Sequence, residues 1–480
     1  MKFKNTIILF AVFLVLLAAV LLFESKGTKN REKKEKEAKL VDVAVADIHK
    51  ITLKNESGSM TFQKDEKSGW LITEPLEVQA DGVEVDGLAG GFAGLRIERV
   101  VEAEPKDIKI YEIPKREVTL WVKGKDLPIK VLIGMENPID STLFAKREDE
   151  KRVVLLSGSL KTSLDKKFFD FRSKDIFKFE TADVREIKVR TGEAAWTASK
   201  KDKGWELTAP IAALANGGRI DSLLYALAGL KAKEFVSENK SDEDIKKIGM
   251  DRPEYEVRLS MPGENKEAVI ILHKSDDKVY AAGSLSNKIV LVDGTILNDL
   301  GKKADEYREK KAAVFNSWEA DRVSVTKAGL AVAAFKEKDK DEEKWRLEAP
   351  EKPEADGSKV EAFIRKIEDL EAVEFIDAPK GLAEYGLDRP EAEVNVRVKD
   401  GESKVQEFKI LIGREDKEKK QVVVKNAALG YLFRVDSAFL ENLPKEAKDW
   451  QVGVKPEPSD KKSGSSSKLS SAQGPNETGA

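Results

Sequence analysis

One stretch of this chain is written three times. Gly69-Trp70-Leu71-Ile72-Thr73-Glu74-Pro75 returns as Gly204-Trp205-Glu206-Leu207-Thr208-Ala209-Pro210 and again as Lys344-Trp345-Arg346-Leu347-Glu348-Ala349-Pro350. Trp70, Trp205 and Trp345 each read as the end of a strand. Pro75, Pro210 and Pro350 stop it, because proline brings no N–H to a ladder. Six residues past each proline stands Asp81-Gly82, Asn216-Gly217 or Asp356-Gly357, where a short polar side chain can cap a helix. Apolar residues then fall at one set of offsets: Val85, Leu88, Ala89, Phe92 and Leu95; Ile220, Leu223, Leu224, Leu227 and Leu230; Val360, Phe363, Ile364, Ile367 and Leu370. That spacing gives each helix one apolar stripe to lay on a sheet.

A second signature follows each helix. Ile248-Gly249-Met250-Asp251-Arg252-Pro253 and Tyr385-Gly386-Leu387-Asp388-Arg389-Pro390 match, and Tyr111-Glu112-Ile113-Pro114 is a shortened version. Gly249 and Gly386 suit the left-handed residue that ends a helical turn, and Pro253 and Pro390 prevent its resumption. Alternating strands precede and follow: Ile48 to Leu53, Val184 to Val189 and Arg322 to Val325 before the tryptophans, and Val118 to Val122, Tyr255 to Leu259 and Val394 to Val398 after the turns. Meandering strands with little helix between them imply antiparallel sheet. The expectation is an α+β protein of three tandem homologous domains, 41–178, 179–315 and 316–452. Each is a mainly antiparallel sheet with one amphipathic helix and a short terminal helix.

The two ends differ from this body. Thr6 to Phe23 carries no charge, and 18 residues of helix just span a bilayer core. The small pair Ala18-Ala19 lies inside that run rather than after it, so we read residues 1–23 as an uncleaved signal anchor, with a cleaved signal as the alternative. The charged segment 24–40 reads as a stalk. Its many Lys and Arg argue for retention, whereas Lys2, Lys4 and the size of the body argue for export, which we take as the expectation. From 453 to 480 the composition turns to Ser, Gly, Pro and Lys, a disordered tail.

Chemistry is hard to find. The chain has no cysteine, which removes disulfides, thiolate metal sites and cysteine nucleophiles. Lys+Arg 84 against Asp+Glu 87, interspersed, leaves no basic face for nucleic acid. The two histidines, His49 and His273, occupy different places in their repeats and belong to no metal-spaced motif. Gly87-Leu88-Ala89-Gly90-Gly91-Phe92-Ala93-Gly94 lacks a phosphate-loop pattern and lies within the helical stripe, where close packing on the sheet accounts for it. Asp251-Arg252 and Asp388-Arg389 are either a repeated ligand contact or turn residues, and turn chemistry accounts for them. No catalytic residue, metal ligand or cofactor site is assigned. The tryptophans remain open to two readings, core packing or glycan-stacking platforms.

Taken in order, the apolar amino terminus, the Trp-x-Leu/Ile-x-x-Pro element, the capped helix and the Tyr-Gly-Leu-Asp-Arg-Pro turn resemble the bacterial family known as domain of unknown function 4340. The resemblance covers residues 1–452. It implies a single-pass inner-membrane protein with a periplasmic body and protein partners, in some relatives beside ABC-type transporters or gliding-motility-type systems. The expected function is a non-enzymatic, membrane-anchored envelope scaffold. An envelope glycan- or ligand-binding protein is the alternative, and an unrecognised hydrolase the third.

Overall fold

The computed structural model describes residues 37–453, apart from 193, 203, 264–266, 340–341 and 401–403. The expected anchor, the charged segment as far as residue 36 and the tail from 454 lie outside the described residues. Among the described residues no helix is long and apolar enough to cross a membrane.

The first repeat forms one nine-stranded antiparallel sheet. Its strands are β1 (Ile48–Asn55), β2 (Gly58–Asp65), β3 (Gly69–Glu74), β4 (Val78–Gln79), β5 (Arg99–Glu102), β6 (Arg116–Val122), β7 (Ile129–Glu136), β8 (Leu143–Arg147) and β9 (Val153–Leu156). The spatial order is β4-β3-β2-β1-β6-β7-β8-β9-β5. Two meanders therefore join along β1 and β6. Helix α1 (Gly82–Phe92) carries the chain from the β4 edge to β5 at the far edge. The second sheet repeats this order with nine strands, and the third has eight because a single bridge, Arg346↔Glu354, replaces the two-residue edge strand. The architecture is mainly β rather than α+β. Among the described residues, beyond α1, α2 (Gly217–Ala228) and α3 (Gly357–Glu368), helix is confined to short segments, the longest being Asp242–Ile248.

The helices start where their sequences place them. The Asp81 side chain accepts from the N–H groups of Val83 and Glu84, Asn216 from Arg219, and Asp356 from Lys359. All fifteen stripe residues are buried, and each stripe joins its own sheet in one apolar core. At about 25 cal/mol per Å² of apolar area, this lamination is the main favourable term in each repeat.

Three expectations need correction. The repeated tryptophan does not end the second strand; it is the second residue of a separate strand in repeats 1 and 2 and the fourth in repeat 3. A polar turn between Asp65 and Gly69 breaks what reads in sequence as one run. Each core also begins earlier than the expected boundaries: Leu40 lies in the first, Ile176 and Phe177 in the second, and Ala312, Ala313 and Phe315 in the third. Finally, by contact the chain forms two compact units, divided between Asp175 and Ile176. Repeats 2 and 3 share the second unit.

Candidate functional site

Beside the helix caps and apolar stripes, a side-chain constellation centred on the tryptophan recurs in all three repeats. Trp70, Trp205 and Trp345 are 2%, 4% and 4% exposed. Each indole N–H donates to a carboxylate on the helix overhead: Asp86 Oδ1 at 2.7 Å, Asp221 Oδ1 at 3.0 Å and Glu361 Oε1 at 3.2 Å. Each acceptor lies 16 residues after its tryptophan, one place after the first stripe residue. Directly opposite each tryptophan in the neighbouring strand stands a lysine, Lys64, Lys200 or Lys336. Its ammonium lies 5.4, 5.7 or 5.3 Å from the indole ring. Backbone, helix carboxylate and lysine together close the ring in. The arrangement pins helix to sheet and presents no open aromatic face.

The second signature is also structural, and it extends to the copy that looked defective. Gly249 and Gly386 adopt left-handed φ of 84° and 71° and cap their helical turns. Glu112 takes the same place in repeat 1 with φ 52°. The next residue is buried in all three: Ile113, Met250 and Leu387. Met250 and Leu387 each seed a small apolar cluster away from the main core. Asp251, Arg252, Asp388 and Arg389 are exposed on these turns. Pro253 and Pro390 lead directly into the strands Tyr255–Ser260 and Ala392–Asp400.

His273 differs from its counterparts for a steric reason. At the matching places, a β-carbon on Gly134 would lie 2.1 Å from the Tyr111 carbonyl oxygen, and one on Gly413 2.2 Å from that of Tyr385. Repeat 2 opens this approach, and the His273 ring fills the space against Gly249. His49 sits at an irregularity between β1 and β6. The Nδ1 atoms of both histidines are buried without a hydrogen-bond partner, and among the described residues no group of three or more metal-ligating side chains exists. The glycine run of α1 needs correction too. Only Gly91 faces packing, against Leu160, while Gly87 and Gly90 face open space and Gly94 turns left-handed at the helix end.

Among the described residues four charged side chains are buried, Arg116, Arg172, Arg308 and Asp321; Arg116 pairs with Asp165, and Arg172 lies over the Phe168 ring. Asp321 opens the third sheet and receives Arg397 bidentately at 2.8 and 3.0 Å, with Lys399 at 2.8 Å. Burial pushes its carboxyl up, but the two cations outweigh burial and hold it below the usual aspartate range. Arg308, 1% exposed, leaves repeat 2 and enters repeat 3. Its guanidinium lies 3.7 Å from the Phe375 ring centre and 4.8 Å from that of Tyr431, and its two terminal nitrogens grip Asp377 at 3.0 and 2.7 Å. Beside it the Leu214 N–H donates to the Tyr431 hydroxyl at 3.3 Å, and Asn426 donates to the Ala312 carbonyl at 2.9 Å. Sequence reasoning missed this seam because its members lie far apart in the chain. The tryptophan carboxylates it could have found from their constant 16-residue spacing.

Fold and constellation define a class: a tandem-repeat, antiparallel-β protein whose repeated residues hold helix to sheet. The chain belongs to the family described as domain of unknown function (DUF4340), which matches residues 70–206, 205–382 and 345–454. Each match opens at or beside a repeated tryptophan, so the first two strands of each sheet lie upstream of its match. No curated protein and no solved structure matches the chain.

Proposed function

We propose that the protein is a non-enzymatic scaffold of the bacterial envelope, tethered to the inner membrane by residues 1–23 with its body in the periplasm, where the three repeats contact protein partners. An ABC-type transporter or another envelope assembly is the partner class. The observation that supports this reading is that what the three repeats share is packing. The tryptophans are covered, their carboxylates are engaged, and the turn glycines serve backbone geometry. A protein selected for one repeated ligand would copy an accessible chemical group along with its frame. The alternative, glycan binding on the repeated aromatics, loses its platforms with those rings closed in.

Crosslinking in native membranes, followed by identification of co-purified proteins, tests the proposal. Recovery of a defined set of integral-membrane or envelope partners supports it. A lone monomer under conditions that capture known envelope complexes would overturn it.

A further inference from the structure

Of the three helix caps, the second differs from the others, and its partner differs with it. Two backbone bonds tie the start of each helix to the end of its own repeat. In repeat 1 Asp81 N–H donates to Phe171 O and Ser173 N–H to Gln79 O. In repeat 2 Asn216 donates to Tyr307 and Glu309 to Leu214, and in repeat 3 Asp356 donates to Trp450 and Val452 to Glu354. The caps Asp81, Asn216 and Asp356 are thus matched with Ser173, Glu309 and Val452. Where the cap is an acid its counterpart is neutral, and where the counterpart is an acid the cap is an amide. Asn216 Nδ2 donates to Glu309 Oε2 at 3.2 Å, while Asn216 Oδ1 accepts from the Arg219 N–H at 3.1 Å. An aspartate at this cap would set two carboxylates against each other.

The amide that this pairing requires is followed by Gly217, which makes the one Asn-Gly pair in the chain. Glycine has no side chain to shield its nitrogen, so such a pair closes readily to a cyclic imide wherever the backbone is free to turn. Here it is held. Asn216 has ψ 101°, which sets the Gly217 nitrogen on the far side of the Cα–C bond from the side chain, out of reach of Cγ. Ring closure requires this peptide to rotate, and rotation breaks the cap and the first turn of α2.

We propose that Asn216 is a site of spontaneous deamidation, closed while α2 is capped and open when its first turn unwinds. The Gly217 nitrogen gives its proton to solvent and bonds to Asn216 Cγ, and the side-chain nitrogen leaves as ammonia. Water then opens the imide at either carbonyl and leaves aspartate or isoaspartate. Aspartate brings a second carboxylate against Glu309, and isoaspartate routes the backbone through the side-chain carbons. Neither re-forms the original cap, so an opening that reacts is not reversed by refolding. Glu309 also accepts the Lys311 N–H at 2.9 Å and directly follows Arg308. The change therefore falls where repeat 2 hands the chain to repeat 3.

The full-length chain is incubated in warm, mildly alkaline buffer, and conversion is followed by mass spectrometry of the tryptic peptide 204–219, in which Asn216 is the only asparagine. The folded chain should convert at least about tenfold more slowly than the chain unfolded in guanidinium chloride. Glu309→Ala, which frees Asn216 Nδ2, should speed conversion of the folded chain severalfold. Equal rates folded and unfolded, no conversion in either, or no effect of Glu309→Ala would overturn the proposal. A second measurement addresses the product. Asn216→Asp should speed hydrogen exchange in the first turns of α2 about tenfold, and Glu309→Gln added to it should return exchange to within about twofold of wild type. Exchange unaltered by Asn216→Asp, or still fast in the double variant, would also overturn it.

Discussion

Arg308→Ala is the sharpest perturbation of this fold. The side chain is 1% exposed and links repeats 2 and 3 through two aromatic rings and a bidentate aspartate. A desolvated cation–π contact contributes up to about 2 kcal/mol. Asp377 is 45% exposed and rehydrates once released, so the ion pair counts for less than the 3–5 kcal/mol of a fully buried one. Arg308 Nε is buried without a hydrogen-bond partner, which subtracts further. The net loss is about 3 kcal/mol, or roughly 5 °C for a cooperative unit that spans both repeats. The assay is calorimetry of the full-length protein. In the wild type, repeats 2 and 3 should melt together; in Arg308→Ala the transition should fall and split in two. Arg308→Lys keeps the charge but not the planar fork, and should restore less than half of the loss. One unsplit transition within about 2 °C of the wild type would refute the idea that this residue couples the repeats.

Other consequences can be checked on the same protein. Asp221→Ala leaves the Trp205 indole N–H buried without its acceptor and should cost about 1–2 kcal/mol in urea unfolding. Gly413→Ala drives a β-carbon into the Tyr385 carbonyl and should cost about 3 kcal/mol, whereas His273→Ala at the matching place should cost about 1 kcal/mol or less. Glu112→Gly should stabilise repeat 1 by about 0.5–1 kcal/mol, because the position is left-handed and glutamate is not suited to it. The Asp321 carboxyl titrates below its usual value of 3.8, so the stability it provides is complete above that pH and is lost as pH falls through the lower folded value. Asp321→Asn should therefore cost about 2 kcal/mol at pH 7, and the difference from wild type should vanish in strong acid.

How much of this was legible depended on whether the cause was local. The helices were readable from their stripes because offsets of 3 and 4 have one meaning, and from Asp81, Asn216 and Asp356 because a cap acts within three residues. The left-handed Gly249 and Gly386 were readable for the same reason. Glu112 was not, because tertiary packing of Ile113 and not residue preference sets its φ. The lysine facing each tryptophan was hidden by hairpins of different length: Lys64, Lys200 and Lys336 precede their tryptophans by unequal intervals but share one register. The edge strand β5, which pairs with β9 after the helix crosses the sheet, has no signature in its own four residues. The seam at Arg308 depends on Phe375, Asp377 and Tyr431, whose nearness only the assembled sheets establish.

The central claim is that the thrice-repeated tryptophans hold the fold and meet no ligand. Hydroxyl-radical footprinting with mass spectrometry compares them with Trp318, which is 70% exposed in the same chain. Trp318 should be oxidised on the order of tenfold faster than Trp70, Trp205 and Trp345, and envelope glycans should change none of the three. Oxidation of the repeated tryptophans at the rate of Trp318, with protection on adding glycan, would contradict the account.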